Sequence, residues 1–204
     1  GARLSMTIGL SVVLISSVVG TAFGLIAGYF RAADNVIMRF MDGMMAFPDI
    51  LLAIALMASL GPSVINVIIA LGVVYTPRVA RVVRSATLSI RETEYVEAAQ
   101  AVGVAPAAIL LRHILPNAVS PIIVQATFTF ANSVLAEASL SFLGVGVPPY
   151  VPSWGMMLSS ARSYMVQAPW MMIYPGLAIV ITVLGLNLLG DGLRYMLDPR
   201  LRNL

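Results

Sequence analysis

Between Arg3 and Arg31 the chain has no charged side chain. A helix of about 20 apolar residues crosses the hydrocarbon core of a bilayer, so this stretch can cross it with some tilt. A soluble domain has about 25% charged residues, whereas this chain has 10%, together with 59% hydrophobic residues. The sequence therefore predicts an integral membrane protein.

Five apolar segments predict an all-α fold, a polytopic bundle of transmembrane helices. The predicted spans cover residues 4–29, 43–60, 64–83, 116–136 and 169–190, with a long outer loop over residues 140–168. Arg31 to Asp42 is predicted to be a polar connector, and Pro48 is expected to bend the second span. Asp49 is interpreted either as an interfacial anchor or as lining of a pathway.

Small residues recur at or near four-residue spacing in the first span, at Gly9, Gly20, Gly24 and Gly28. In membrane helices such residues allow two backbones to approach closely. We interpret this stripe as a packing surface and not as a ligand site.

The distribution of arginines predicts the orientation in the membrane. If the segment after the third span is cytoplasmic, the inner side holds Arg31, Arg39, Arg78, Arg81, Arg84, Arg91, Arg112, Arg194, Arg200 and Arg202. The outer side then holds Arg3 and Arg162. The reverse arrangement would violate the positive-inside rule. The loop over residues 91–115 and the C-terminus are therefore predicted to be cytoplasmic, with Arg78, Arg81 and Arg84 snorkelling from one helix face.

A short amphipathic segment over residues 94–103 lies in this cytoplasmic loop. Helical spacing groups its residues into a polar face, Thr93, Glu94, Glu97 and Gln100, and a small apolar face, Tyr95, Ala98, Ala99 and Val102. Gly103 is expected to end the helix, and Pro106 to begin the next one without a side-chain cap from Ala105. Taken alone, this segment is most simply a solvated connecting helix.

The wider spacing of Glu97-Ala98-Ala99, Gly103 and Leu115-Pro116 resembles the EAA loop of permease subunits of ATP-binding-cassette importers. His113 stands where that pattern has an aliphatic residue. Two further stretches, residues 137–158 and residues 174–200, resemble the dipeptide/oligopeptide/nickel importers, specifically the second of their paired permeases. The resemblance covers essentially the whole chain, although Tyr195 stands where the family often has an acidic residue.

This resemblance implies one domain over residues 1–204 with the type I importer permease fold, preceded in the full protein by one more span. It implies a heterodimer with a homologous permease, two ATP-binding subunits that hold ATP and Mg, and an extracytoplasmic substrate-binding protein that delivers peptides. The residues expected to couple to the ATPase subunit are Glu94, Tyr95, Glu97, Ala98, Ala99, Gly103 and Pro116. Nickel chelates, opines and haem-like cargo stay open as alternatives to peptides.

The fourth span is unusually polar for a membrane helix, with Gln125, Thr127, Thr129, Asn132 and Ser133, and Glu137 closes it. Polar groups in hydrocarbon face a bundle interior or a water path. We expect Gln125, Thr129, Asn132, Ser133 and Glu137 to line the translocation pathway. Hydrogen bonding between helices is an equally good interpretation.

Other classes of function find little support in the sequence. The absence of Cys excludes disulfides and thiolate metal sites, and no Walker-type phosphate loop is present. A lone His113 beside Arg112 favours neither a metal site nor an enzyme, and arginines at membrane edges do not indicate nucleic-acid binding. An ion-gradient-driven transporter or channel is the alternative, and it leaves the EAA spacing unexplained.

Overall fold

A computed structural model describes residues 1–197, which form helices joined by short connections. Asp198, Pro199, Arg200 and Arg202, which entered the resemblance and the orientation, lie outside the described residues. The helices are α1 (Ala2–Tyr29), α2 (Arg31–Met45), α3 (Asp49–Leu60), α4 (Val64–Arg91), α5 (Glu94–Ala101), α6 (Pro106–Ile109), α7 (Leu115–Phe142), α8 (Trp154–Ala161) and α9 (Trp170–Leu197). A π-helical turn, Leu110–Ile114, joins α6 to α7 without a break.

Four helical segments are long and apolar enough to cross a membrane: Ala2–Tyr29, Val64–Arg91, Pro106–Phe142 and Trp170–Met196. The α2–α3 pair is apolar enough to be a fifth, but it is bent by 92° and is either a broken span or a re-entrant segment. The predicted all-α polytopic bundle is thus confirmed. The spanning helices extend beyond several predicted bounds, because polar residues at their ends continue the helix past the hydrocarbon core.

The second predicted span, 43–60, is not one continuous helix. Residues 43–45 belong to α2, and the α2 and α3 axes meet at 92°. Pro48 precedes the first turn of α3, where its missing N–H is tolerated. The predicted bend is therefore a sharp break, and the predicted connector from Arg31 to Asp42 is a helix.

The glycine stripe of α1 packs as the sequence predicts. A Cβ atom added at Gly24 would lie 2.6 Å from the carbonyl oxygen of Ala80, and one at Gly28 would lie 2.5 Å from Cβ of Thr87. A Cβ atom added at Gly20 would lie 2.6 Å from Cβ of Val79, which like Ala80 and Thr87 belongs to α4. The α1 and α4 backbones can approach closely only because these positions have no side chain.

The segment after α7 is partly helical and packs onto the bundle. The hydroxyl oxygen of Ser153 accepts a hydrogen bond from the Met156 N–H at 3.2 Å and thereby caps α8. Trp154 is only 8% exposed and packs in a cluster with Val134, Ala138 and Ile179. Helix α8 therefore lies against α7 and α9.

Candidate coupling and translocation sites

Helix α5 has the end that its sequence predicts. Gly103 has φ +80°, a left-handed conformation that costs glycine little. The N–H of Val104 donates to the carbonyl of Ala99, and the N–H of Gly103 donates to that of Gln100, both at 3.0 Å. This pattern is the Schellman motif, which stops the helix and turns the chain towards Pro106.

Val96 holds α5 against the rest of the chain. Its side chain is 0% exposed and packs in a cluster with Leu25, Val83, Ile109 and Ile114. Ala99, one helical turn further on, is half-buried against the same cluster. The expected apolar face is therefore wrong at Ala99, which faces inward while the other three residues are exposed. The sequence pattern does not reveal that Val96 anchors α5 to the rest of the chain.

The opposite surface of α5 is exposed. It carries Glu94, Tyr95, Glu97, Ala98 and Val102, of which Val102 is 79% exposed and Tyr95 is 46% exposed. Carboxylates and apolar side chains are thus intermingled on a helix that is anchored from behind. Such a surface can bind a partner without first having to order itself.

Tyr95 is supported by the π-helical turn. The ring centroids of Tyr95 and His113 lie 6.3 Å apart, and the side-chain amide of Asn117 donates to the Tyr95 hydroxyl at 3.2 Å. His113, a departure from the family pattern, therefore contacts the exposed helix directly. Isolated π-helical turns occur often at functional sites, and no sequence pattern predicted this one.

Three ion pairs connect α4 to the α2–α3 pair, and sequence reasoning missed all of them. They are Arg78 with Asp49 at 2.5 Å, Arg81 with Asp42 at 2.6 Å, and Arg84 with Asp34, whose Nη2–Oδ2 distance is 2.6 Å. We call this set the Asp–Arg ladder. The three-residue spacing of the arginines is visible in the sequence. Which aspartate pairs with which arginine is not, because it depends on the break between α2 and α3 at Pro48. These arginines, which are expected to snorkel, also form ion pairs within the chain.

The polar residues of α7 are not all on one accessible surface. Asn132 is exposed and Gln125 is half-buried, with the Gln125 amide 3.3 Å from the Thr129 hydroxyl. Thr129 and Ser133 are buried, and the Ser133 hydroxyl donates to the Thr129 carbonyl at 2.6 Å. Because both side chains are buried inside the chain, Thr129 and Ser133 do not face an open path in this conformation.

Glu137, also expected along the pathway, is fully buried near the C-terminal end of α7. Its two carboxyl oxygens accept hydrogen bonds from Ser5 of α1 at 3.0 Å and from Ser141 at 2.8 Å. Those hydroxyl oxygens lie 3.3 Å from the backbone N–H groups of Trp154 and Val147, which donate to them. Glu137 therefore ties α1, α7 and the start of α8 together, and pathway lining does not fit this geometry.

The arrangement of spans, with a short helix held between α4 and the long helical segment Pro106–Phe142, defines the class of protein. A chain in a solved structure of the MetNI methionine ABC transporter in inward-facing conformations has a TM-score of 0.79 at 20% identity, over 97% of this chain and 94% of that chain. At this identity the likeness shows the fold, which is that of the membrane-spanning subunit of an ATP-binding-cassette importer.

The profile of the family described as "Binding-protein-dependent transport system inner membrane component" matches residues 20–203, and the chain belongs to this family. It is 48% identical over 204 residues to the dipeptide transport system permease protein DppC of Alkalihalophilus pseudofirmus (100% of this chain, 67% of that protein). It is also 48% identical to the glutathione transport system permease protein GsiD of Pectobacterium atrosepticum (100% and 68%). The chain is thus a multi-pass permease subunit of the inner membrane, which works with ATPase and substrate-binding subunits.

Proposed function

We propose that this permease forms half of a translocation pathway for di- or oligopeptides. The similarity to permeases named for dipeptide and glutathione transport supports a peptide cargo. The other half is a homologous second permease, in a heterodimer that carries two ATP-binding subunits on its cytoplasmic side. The chain itself catalyses no reaction and binds no ATP, Mg or other cofactor.

Coupling to the ATPase subunit passes through α5 in this proposal. The observation that carries it is the combination of a buried Val96 with an exposed surface of Glu94, Tyr95, Glu97 and Ala98. A push on this surface reaches α4 and α7 through the Val96 cluster. Ala99 and Gly103 shape the helix from behind and at its end, and exposed Pro116 lies beyond the π-helical turn.

The pathway assignment narrows to the accessible part of α7. Asn132 and Gln125 are the residues proposed to meet cargo or the water around it. Thr129, Ser133 and Glu137 are buried and form hydrogen bonds inside the chain, so they are not part of this surface. Asn132 is the better candidate of the two, since its side chain is exposed whereas that of Gln125 is half-buried.

Uptake by the reconstituted transporter tests the proposed function. Proteoliposomes carrying both permeases, the ATPase subunits and the binding protein should accumulate a labelled dipeptide only when ATP is present on the ATPase side. An ion gradient without ATP should drive no uptake. Uptake driven by the gradient alone would favour a secondary transporter, and uptake of a nickel chelate but no peptide would refute the proposed cargo.

A further inference from the structure

The Asp–Arg ladder shows how α2 is oriented in the bundle. Asp34 and Asp42 are separated by about 12 Å along α2, whereas their partners Arg84 and Arg81 are separated by about 4.5 Å along α4. The turn of residues 61–63 joins α3 to α4, and Ala53 and Met57 of α3 pack with Val67 of α4. Because the α2 axis lies at 92° to α3, α2 runs across these two helices, and its aspartates are spaced more widely than their partners on α4.

The level of this crossing is near one edge of the membrane. Arg84 lies about 30 Å along α4 from its first residue, Val64, which is the thickness of a hydrocarbon core. The α1 helix ends at Tyr29, immediately before α2, and the Arg91 side chain donates to the carbonyls of Gly28 and Tyr29 at 3.1 Å. α2 is thus a helix that lies along the edge of the bilayer, outside its centre.

The outward surface of α2 has two adjacent strips. Arg31, Asn35 and Arg39 follow each other at four-residue spacing and are all exposed. Beside them Val36 is 72% exposed and Phe40 is 67% exposed. Among residues 1–197, neither Arg31 nor Arg39 has an ion-pair partner, although Asp34 and Asp42 lie on the same helix, because those carboxylates are taken by α4.

We propose that α2 is a binding site for anionic phospholipids of the adjacent leaflet. Arg31 and Arg39, with Asn35 between them, bind the phosphate of a headgroup, while Val36 and Phe40 lie among the first carbons of the acyl chains. This division of an interfacial helix into a cationic strip and an apolar strip is what such a surface needs. A basic side chain close to an anionic membrane surface contributes about a fivefold preference.

Charge favours lipid over protein as the occupant. A protein partner that covered Val36 and Phe40 would also have to provide carboxylates for two free arginines. Anionic headgroups provide that charge at this depth, next to the acyl chains that solvate the apolar strip. The Asp–Arg ladder fixes the helix in place, so that the site exists before lipid binds.

A quenching experiment on the whole transporter complex tests this site. The chain has no cysteine, so Val36→Cys can carry a bimane fluorophore in a complex whose other subunits have been made cysteine-free. The complex is reconstituted into vesicles of phosphatidylcholine and phosphatidylglycerol, in which one or the other lipid has brominated acyl chains. Bromine quenches the fluorophore only on contact.

The expected result is that brominated phosphatidylglycerol quenches position 36 several-fold more than the same fraction of brominated phosphatidylcholine. Each of Arg31→Gln and Arg39→Gln should reduce this preference by up to about fivefold. Arg39→Lys should retain it. Arg112→Gln is the matched control, since Arg112 is exposed and also has no ion pair within the described part of the chain.

Two outcomes would overturn the proposal without any arginine variant. Equal quenching by both lipids would show that the arginines select no headgroup. Quenching by neither lipid would show that protein covers this surface, with the second permease as the first candidate. Neither result would affect the proposed transport of peptides, which the uptake experiment measures separately.

Discussion

At the scale of single residues, two kinds of position carry this fold: glycines where helices meet, and buried polar groups with partners in distant parts of the chain. Gly24 is of the first kind and Glu137 of the second. Both were visible in the sequence, but only the stripe to which Gly24 belongs could be interpreted correctly there. A regular spacing is a local signal, whereas the partners of Glu137 lie at Ser5 and Ser141.

Gly24→Ala should destabilise the protein, because the new Cβ would lie 2.6 Å from the Ala80 carbonyl oxygen and from Cβ of Val83. The expected loss is about 1–3 kcal/mol of unfolding free energy. Gly43→Ala is the matched control, since this helical glycine has no atom within 4 Å of the added Cβ. That change should stabilise α2 by about 0.5–1 kcal/mol. Thermal unfolding of the purified complex measures both, and equal shifts would contradict the α1–α4 contact.

Glu137→Leu should lower stability by about 1–3 kcal/mol, because it leaves the hydroxyls of Ser5 and Ser141 without their buried acceptor. Glu137→Gln should lower it less, since its amide oxygen still accepts from one serine hydroxyl and its NH2 group can donate to the oxygen of the other. Thermal unfolding and dipeptide uptake per folded complex are the measurements. Normal stability with lost uptake in the glutamine variant would restore Glu137 to the pathway.

At the scale of elements, the sequence predicted which segments cross the membrane, because charge-free runs of sufficient length have few alternatives in a bilayer. It also predicted the end of α5 at Gly103. It did not predict α2 as a helix, since the polar residues that suggested a connector, Asp34 and Asp42, are paired with α4. Nor did it predict Val96, because the spacing of apolar residues cannot distinguish a face that meets the same chain from one that meets a partner.

Ala98→Trp should detach the ATPase subunit while leaving the permease folded, because Ala98 is exposed on the proposed coupling surface. Added bulk in a packed interface costs about 1–3 kcal/mol, or about 5- to 150-fold in affinity. Glu97→Lys should act in the same direction by reversing a charge on that surface. Co-purification of the ATPase subunit and substrate-stimulated ATP hydrolysis are the measurements.

Two variants serve as controls for this experiment. Ala98→Ser adds little volume and should bind the ATPase normally. Ala99→Trp should instead lower the thermal stability of the permease, because Ala99 packs against the Val96 cluster. If Ala98→Trp and Glu97→Lys both retain normal ATPase binding and ATP hydrolysis, the proposed role of α5 is wrong.

Asn132→Leu should reduce dipeptide uptake per assembled complex without reducing assembly, because it removes an exposed amide from the proposed pathway surface. Ser133→Ala is the neighbouring control, as its buried hydroxyl bonds only to the carbonyl of Thr129 in its own helix. That control should transport normally. Dissociation of the two permeases by Asn132→Leu, with normal uptake in the remaining complexes, would identify Asn132 as a contact between subunits.

At the scale of the whole molecule, the spans, the ion pairs and the exposed helix α5 together set the two faces of the bundle. Arg78, Arg81 and Arg84 lie in the half of α4 that leads into α5, and the Glu137 cluster with α8 is at the opposite end of the bundle. The positive-inside rule assigns the arginine end to the cytoplasm. This orientation is a proposal that can be tested directly.

Single cysteines at Gln100 and Ser160 provide that test, because both positions are exposed in the folded chain and the chain has no other cysteine. A membrane-impermeant thiol reagent added to intact cells should label position 160 and leave position 100 unlabelled. Opening the cells should make position 100 reactive as well. The reverse pattern in intact cells would invert the molecule in the membrane.

The unbroken helical segment Pro106–Phe142 has a mechanical consequence. Its 37 residues extend over about 55 Å, well beyond the roughly 30 Å of the hydrocarbon core. A rigid tilt of about 5° about the end beside α5 would displace the far end by roughly 5 Å. Glu137 and Ser141 lie near that far end, so the hydrogen bonds around them would have to accommodate this displacement.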